Sequence, residues 1–176
     1  MELDYEQLFM MRHGEDDFPN NRLSSKGRQQ VKRTAEQVLP LLNQDYYGVP
    51  LSSPQGRTVD SLLVLGDSLI YCGNDESRKD KSLFIDRWAI TDFCLEGNCK
   101  EDPKKFIEFA NEHSRNEICF AVAHKDMMSK FFTWYLKKNF NTQFSSYDFN
   151  LADGVLINIK LGNYKIISSE RGIIDL

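Results

Sequence analysis

The sequence predicts a single three-layer α/β/α domain, residues 1–176, around a mostly parallel central sheet. Three observations carry that expectation. Short apolar runs alternate with longer amphipathic stretches along the chain. One run, Ile118-Cys119-Phe120-Ala121-Val122-Ala123, is apolar throughout, as strands covered on both faces are. Three segments also share one layout, in which an apolar strand gives way to a polar cluster and then a helix: Met11-Arg12-His13-Gly14, Leu51-Ser52-Ser53-Pro54-Gln55-Gly56-Arg57, and Val122-Ala123-His124-Lys125.

The elements follow in order. Leu8-Phe9-Met10-Met11 reads as a buried first strand ending at Arg12-His13-Gly14. Ser24 is a helix N-cap, because its hydroxyl can take an N–H of the first turn. Behind it Val31, Ala35, Val38, Leu39 and Leu42 recur at helical spacing before the chain reaches Gly48. Val49-Pro50-Leu51-Ser52 is a second short strand, followed by a helix from about Gly56 to Leu69. Tyr71 to Lys81, with Gly73, Asn74 and Asp75, reads as an exposed loop, and Ser82 to Trp88 as a third strand. A helix from Pro103 to His113 follows, its proline suited to the first turn. The run ending at Ala123 leads through His124 into a helix to Lys138. Gly154 to Ile159 and Tyr164 to Ile167 form a hairpin turning at Gly162-Asn163.

Composition narrows the class. Of 176 residues, 41% are hydrophobic and 27% charged, close to globular averages. The formal charge of −4, from 26 acidic and 22 basic side chains, gives no electrostatic footprint for nucleic acid. No apolar run approaches the roughly 20 residues of a membrane span. The acidic start, Met1-Glu2-Leu3-Asp4-Tyr5-Glu6, lacks the basic flank of an export signal, so a cytoplasmic protein is expected. Cys72, Cys94, Cys99 and Cys119 form no C-x-x-C pair and read as reduced thiols. With only three histidines, none at ligand spacing to a cysteine, no metal site is expected.

In an open α/β sheet, ligands bind at the carboxyl ends of the parallel strands. If the three strand-to-helix segments are neighbours, Arg12, His13, Arg57 and His124 converge there. Two guanidiniums and two imidazoles around one point suit a phosphate, since guanidinium forks match its oxygens and helix N-termini add backbone donors. The other readings of single residues are plain ones. Arg57 could pair with Asp60 along its own helix, His113 lies among polar residues near a helix end, and Phe131, Phe132, Trp134, Tyr135 and Leu136 suit a helix packed on the sheet. No G-x-G-x-x-G or P-loop pattern follows any strand.

Four blocks in this order resemble the histidine phosphatase superfamily, the phosphoglycerate-mutase-like proteins: Arg12-His13-Gly14-Glu15, Leu23-Ser24-x-x-Gly27-x-x-Gln30, Ser52-Ser53-Pro54-x-x-Arg57 and Ala121-Val122-Ala123-His124. The resemblance runs from about Leu8 to Ile159. It implies a phosphoglycerate-mutase-like fold and a phosphatase that needs no cofactor. His13 would be the nucleophile that becomes a transient phosphohistidine, with Arg12, Arg57 and His124 gripping the phosphoryl oxygens. Such a cage supplies alignment and charge stabilisation, which is most of what phosphoryl transfer asks for.

The family's proton donor has two possible counterparts. One family block closes on Glu-Gly, matched by Glu96-Gly97, but its acid would fall at Ala89 or Ile90, and Asp92 is the nearby carboxylate. Another branch places its acid after the second histidine, where Lys125 precedes Asp126. Asp126 opens a helix, a position that favours negative charge. The stretches Gly14–Leu23 and Gly97–His124 are short, which is similar to the small bacterial phosphohistidine phosphatases. The implied substrate is a phosphorylated small molecule or a phosphoprotein, with hydrolysis favoured over mutase chemistry. A sugar-phosphate phosphatase or mutase, and a phosphate-binding pseudo-enzyme, are the alternatives.

Overall fold

The computed structural model describes residues 2–43, 48–72, 89–90, 103–112, 118–140 and 146–174. Strand β1 (Gln7–Arg12) lies inside a seven-stranded sheet. Successive side chains of a strand point to opposite faces, and here both faces are apolar. Leu8 and Met10 join one core while Phe9 and Met11 join the other. β6 (Ile118–Ala123) divides in the same way, with Cys119, Ala121 and Ala123 against Ile118, Phe120 and Val122. A strand buried on both sides needs helices on both sides.

The sequence provides them. α1 (Ser25–Val38) and α2 (Gly56–Cys72) cover one face, where Val31, Ala35, Leu62 and Leu65 meet Phe9 and Phe120. α3 (Lys104–Glu112) and α4 (Lys125–Asn139) cover the other, where Phe106, Ile107, Phe131 and Phe132 meet Leu8 and Met10. The expected three-layer arrangement is therefore present. The Ser24 hydroxyl accepts from Gly27 N–H at 3.0 Å, the predicted cap of α1. α4 carries Asp126 in its first turn and Lys137 and Lys138 in its last, matching the helix dipole at both ends.

β1 pairs in parallel with β6, β6 with β4 (Gly48–Ser52), and β4 with β5 (Ala89–Ile90). On its other side β1 pairs antiparallel with β7 (Gly154–Asn158), which continues antiparallel to β8 (Asn163–Ser168) and β9 (Gly172–Ile174). Since β8 reverses β7, five of the seven strands point one way. The β7–β8 turn has Gly162 at φ 64°, the left-handed conformation expected for the predicted Gly-Asn turn. A separate ribbon, β2 (Asp16–Asp17) and β3 (Arg22–Leu23), projects after β1.

One expectation changes, and short strands appear where none was expected. α2 runs past Leu69 through Ile70, Tyr71 and Cys72, so Tyr71 and Cys72 are helical rather than loop. No breaker interrupts that stretch before Gly73. β9 and the β2–β3 ribbon were not anticipated, because two- and three-residue strands carry too little periodicity to read. The strand expected at Ser82–Trp88, His113, Asp92 and Glu96 lie outside the described residues. Cys119 is free and buried. No helix among the described residues is long and apolar enough to cross a membrane, and no group of three potential metal ligands occurs among them.

Candidate active site

Strand register assembles the site. Arg12 stands opposite Ala123, and Ser52 opposite Val122, so β1, β4 and β6 end together at one edge of the sheet. The ladder continues one residue past the strands. His13 N–H donates to the Ala123 carbonyl at 3.1 Å and Ser53 N–H to the Val122 carbonyl at 3.2 Å. His13, Ser53 and His124 thus leave three adjacent strands side by side, at the edge where such sheets bind ligands.

The turn after His13 is clamped by α1. Ser24 N–H donates to the Glu15 carbonyl at 2.9 Å, and the Gln30 side-chain oxygen accepts Glu15 N–H at 2.9 Å. From α2, the Ser61 hydroxyl accepts Gly14 N–H at 3.1 Å. Leu23-Ser24-x-x-Gly27-x-x-Gln30 is therefore a support for the Arg12-His13-Gly14 turn and contacts it from behind.

The His13 ring is buried, with Nδ1 2.7 Å from the carbonyl oxygen of Gly14. A carbonyl can only accept, so Nδ1 carries the proton and Nε2 keeps a lone pair. Burial lowers the His13 pKa from its ordinary 6.5; the Gly14 carbonyl raises it, Arg57 and Arg12 lower it further, and Asp16 raises it. The lowered pKa favours the neutral imidazole, with its Nε2 lone pair free of a proton. His124 lies beside it, with ring centroids 5.1 Å apart and the planes at 68°. The His124 Nε2 is 3.2 Å from the Ser53 hydroxyl, which can donate or accept as the histidine's charge requires.

The two arginines share one design. Arg12 Nη1 donates to the Phe149 carbonyl at 2.8 Å, and Arg57 Nη1 donates to Asn21 Oδ1 at 2.6 Å and Asp16 Oδ2 at 3.2 Å. In each, Nε is buried without a protein partner. A buried, unpaired guanidinium N–H is costly unless an anion meets it. Burial lowers the Arg12 pKa; Asp148, Asp153 and Asp126 oppose that, and Arg57 adds to it. The structure thus brings Arg12, His13, Arg57 and His124 together. Asp126 is exposed on the first turn of α4 and faces Arg12 electrostatically.

The Arg57–Asp60 pairing suggested by helical spacing is absent. Buried Asp60 instead takes the guanidinium fork of Arg22 at 2.8 and 2.6 Å and the Leu23 N–H at 3.1 Å. Asp60 thereby ties α2 to β3, and Arg57 is free to turn toward the ribbon. Asp16, Asn21 and Ser61 were missed as site residues. No sequence spacing marks Asp16 or Asn21; their role comes from a ribbon folding back on α2.

No protein-family model and no curated protein matches the sequence. Solved structures do match. The protein histidine phosphatase SixA complexed with tungstate superposes with a TM-score of 0.57 at 14% identity, over 91% of this chain and 93% of that one. The fold is that of the histidine phosphatases. An Agrobacterium tumefaciens protein assigned as the phosphohistidine phosphatase SixA gives 0.60 at 9% identity, over 97% and 99%. Mycobacterial glucosyl-3-phosphoglycerate phosphatase gives 0.53 at 15% identity, over 93% and 97%. In this histidine-phosphatase fold Arg12, His13 and His124, with Arg57 from the start of α2, lie at the strand-end edge where such sheets bind ligands.

Proposed function

We propose that the chain is a metal-independent phosphatase that hydrolyses a phosphomonoester or phosphohistidine through a phosphohistidine on His13. One observation carries the reading: a neutral imidazole with its Nε2 lone pair available, set among two guanidiniums whose Nε donors are buried and unpaired. The histidine-phosphatase fold, and the complex of SixA with tungstate, support an oxyanion as the ligand.

In the first step Nε2 of His13 attacks phosphorus, a P–N bond forms, and the bond to the leaving group breaks. Arg12, Arg57 and His124 meet the negative oxygens as charge redistributes, and the Nδ1–H contact to Gly14 steadies the ring as it becomes cationic. In the second step water attacks the same phosphorus, the P–N bond breaks, and inorganic phosphate leaves. Asp126 and Asp92 remain the two candidates for protonating the leaving group. A phosphohistidine or aryl phosphate makes little demand on that proton, whereas an alkyl phosphate depends on it.

The test is hydrolysis of p-nitrophenyl phosphate in EDTA by the wild type and by His13→Ala. Turnover that vanishes in the variant supports His13 chemistry. A folded wild type without turnover removes the hydrolase reading and leaves a phosphate-binding module.

A further inference from the structure

We propose that Asp16, at the start of β2, and Asn21, in the turn just before β3, are positioning residues that aim the Arg57 guanidinium into the cage. The inference rests on the phosphatase reading and extends it to residues that make no contact with the phosphoryl group. Both side chains take the same Arg57 nitrogen, Nη1, at 3.2 and 2.6 Å. That anchors the outer corner of the fork and leaves Nε, buried and unpartnered, for an incoming oxygen. Arg12 is anchored at the same nitrogen, but by a backbone carbonyl that no side-chain substitution can remove. Arg57 relies on two side chains instead.

The ribbon is built for the task. Asn21 adopts φ 54°, a left-handed conformation that asparagine tolerates better than most residues. The Asn21 backbone is also packed tightly on α2: a Cβ at Gly56 would sit 2.6 Å from the Asn21 carbonyl oxygen. The base of Arg57's own helix and its side-chain anchor are therefore held in one register. Asp16 adds a negative charge that partly offsets the two guanidiniums at His13. The groups bearing on that imidazole are Arg12, Arg57, Asp16, His124 and the Gly14 carbonyl.

The experiment is a pair of double-mutant cycles, Asn21→Gly with Arg57→Ala and Asp16→Ala with Arg57→Ala. Each is read by kcat and KM for p-nitrophenyl phosphate and by the Kd for inorganic phosphate. Glycine suits the left-handed backbone, so Asn21→Gly removes the acceptor without straining the turn. Each single ribbon variant is expected to lose on the order of tenfold in kcat/KM, and to lose nothing further once Arg57 is alanine. Asn21→Asp and Asp16→Asn keep an acceptor oxygen and restore most of the loss. Asp16→Asn also removes the offsetting charge, so the acid limb of its kcat/KM profile shifts to lower pH, which a purely structural role would not produce. Full additivity with Arg57→Ala, or ribbon variants equal to wild type while Arg57→Ala is impaired, overturns the proposal and leaves the phosphatase reading intact. If the folded wild type binds phosphate without turning it over, the Kd cycle alone decides the positioning role. If it neither binds nor hydrolyses, the phosphatase reading fails and takes the positioning role with it.

Discussion

Gly14 and Gly27 are pressed together where the turn after β1 crosses α1. A Cβ at Gly14 would lie 2.6 Å from the Gly27 carbonyl oxygen, and a Cβ at Gly27 would lie 2.1 Å from the Glu15 carbonyl oxygen. Both atoms belong to backbone that cannot swing aside. Alanine is the better helix former by about 1 kcal/mol, so propensity alone would favour Gly27→Ala. The clash decides the sign. Gly27→Ala is expected to destabilise the protein by about 1–3 kcal/mol in urea denaturation and to depress turnover more than stability, because the displaced segment carries His13. A stabilised variant would show that this contact is looser than described.

The pH dependence follows from His13. Burial, Arg57 and Arg12 together outweigh the Gly14 carbonyl and Asp16 and lower its pKa from 6.5. With His13 as the proposed nucleophile, the acid limb of kcat/KM that it governs is expected below pH 6.5. Stability moves with it. The unfolded chain takes up a proton near 6.5 while the folded chain resists until lower pH, so stability present above 6.5 is lost as pH falls toward the folded pKa. His13→Gln should flatten that part of the profile. An unchanged slope in thermal melts from pH 7 to pH 5 would contradict the assignment.

Asp60 is a structural carboxylate. Its removal frees the Arg22 fork and leaves the buried Leu23 N–H unpaired. Stranding that donor costs about 1–3 kcal/mol, so Asp60→Ala should lower the urea midpoint clearly. Arg22→Ala should do less, since Arg22 itself is largely exposed and Asp60 keeps the Leu23 contact. Equal effects from the two variants would mean that the ion pair, and not the backbone contact, carries the stability.

Phosphate is expected to stabilise the fold by mass action, by about 2.7 kcal/mol at a hundredfold excess over Kd. Arg57→Ala and Arg12→Ala should each lose most of that thermal shift. Retention of the full shift in both would place the anion elsewhere on the molecule.

The proton donor is separable by leaving group. Replacing the true acid should lower turnover of glycerol phosphate relative to p-nitrophenyl phosphate by about a hundredfold, and replacing the other carboxylate should leave the ratio unchanged. Asp126→Asn and Asp92→Asn, assayed on both substrates, make the comparison. If neither changes the ratio, a substrate with a good leaving group, such as phosphohistidine, is favoured.

Much of the site was legible because its pieces are local. Arg12, His13 and His124 each stand at the end of an apolar run, and a strand end is visible in sequence as the point where hydrophobicity stops. Parallel pairing then does the rest, since adjacent strands in register must deliver their next residues to one edge. Ser24, Gly27 and Gln30 were visible as a helix start, but their grip on the Gly14–Glu15 turn was not, because packing between two segments leaves no periodic trace. Arg57 was readable as a candidate, but its partners in the fold were not. Spacing on a helix offered Asp60, while the fold gave Asp60 to Arg22 and brought Asp16 and Asn21 to Arg57. A ribbon of four paired residues is too short to announce where it will fold.

The Phe149 carbonyl that anchors Arg12 also fixes when the site can exist during synthesis. β1 leaves the ribosome before β6 and β7, its two neighbours in the sheet, and Arg12 N–H bonds to the Asp153 carbonyl. Until the chain has been made past Asp153, Arg12 has neither that backbone partner nor the Phe149 anchor, and His13 has no partner for its carbonyl, which accepts from Ala152. Such long loops close slowly. Between the synthesis of His13 and that of Asp153, a nascent chain therefore carries the proposed nucleophile without the contacts that hold it and Arg12 in place.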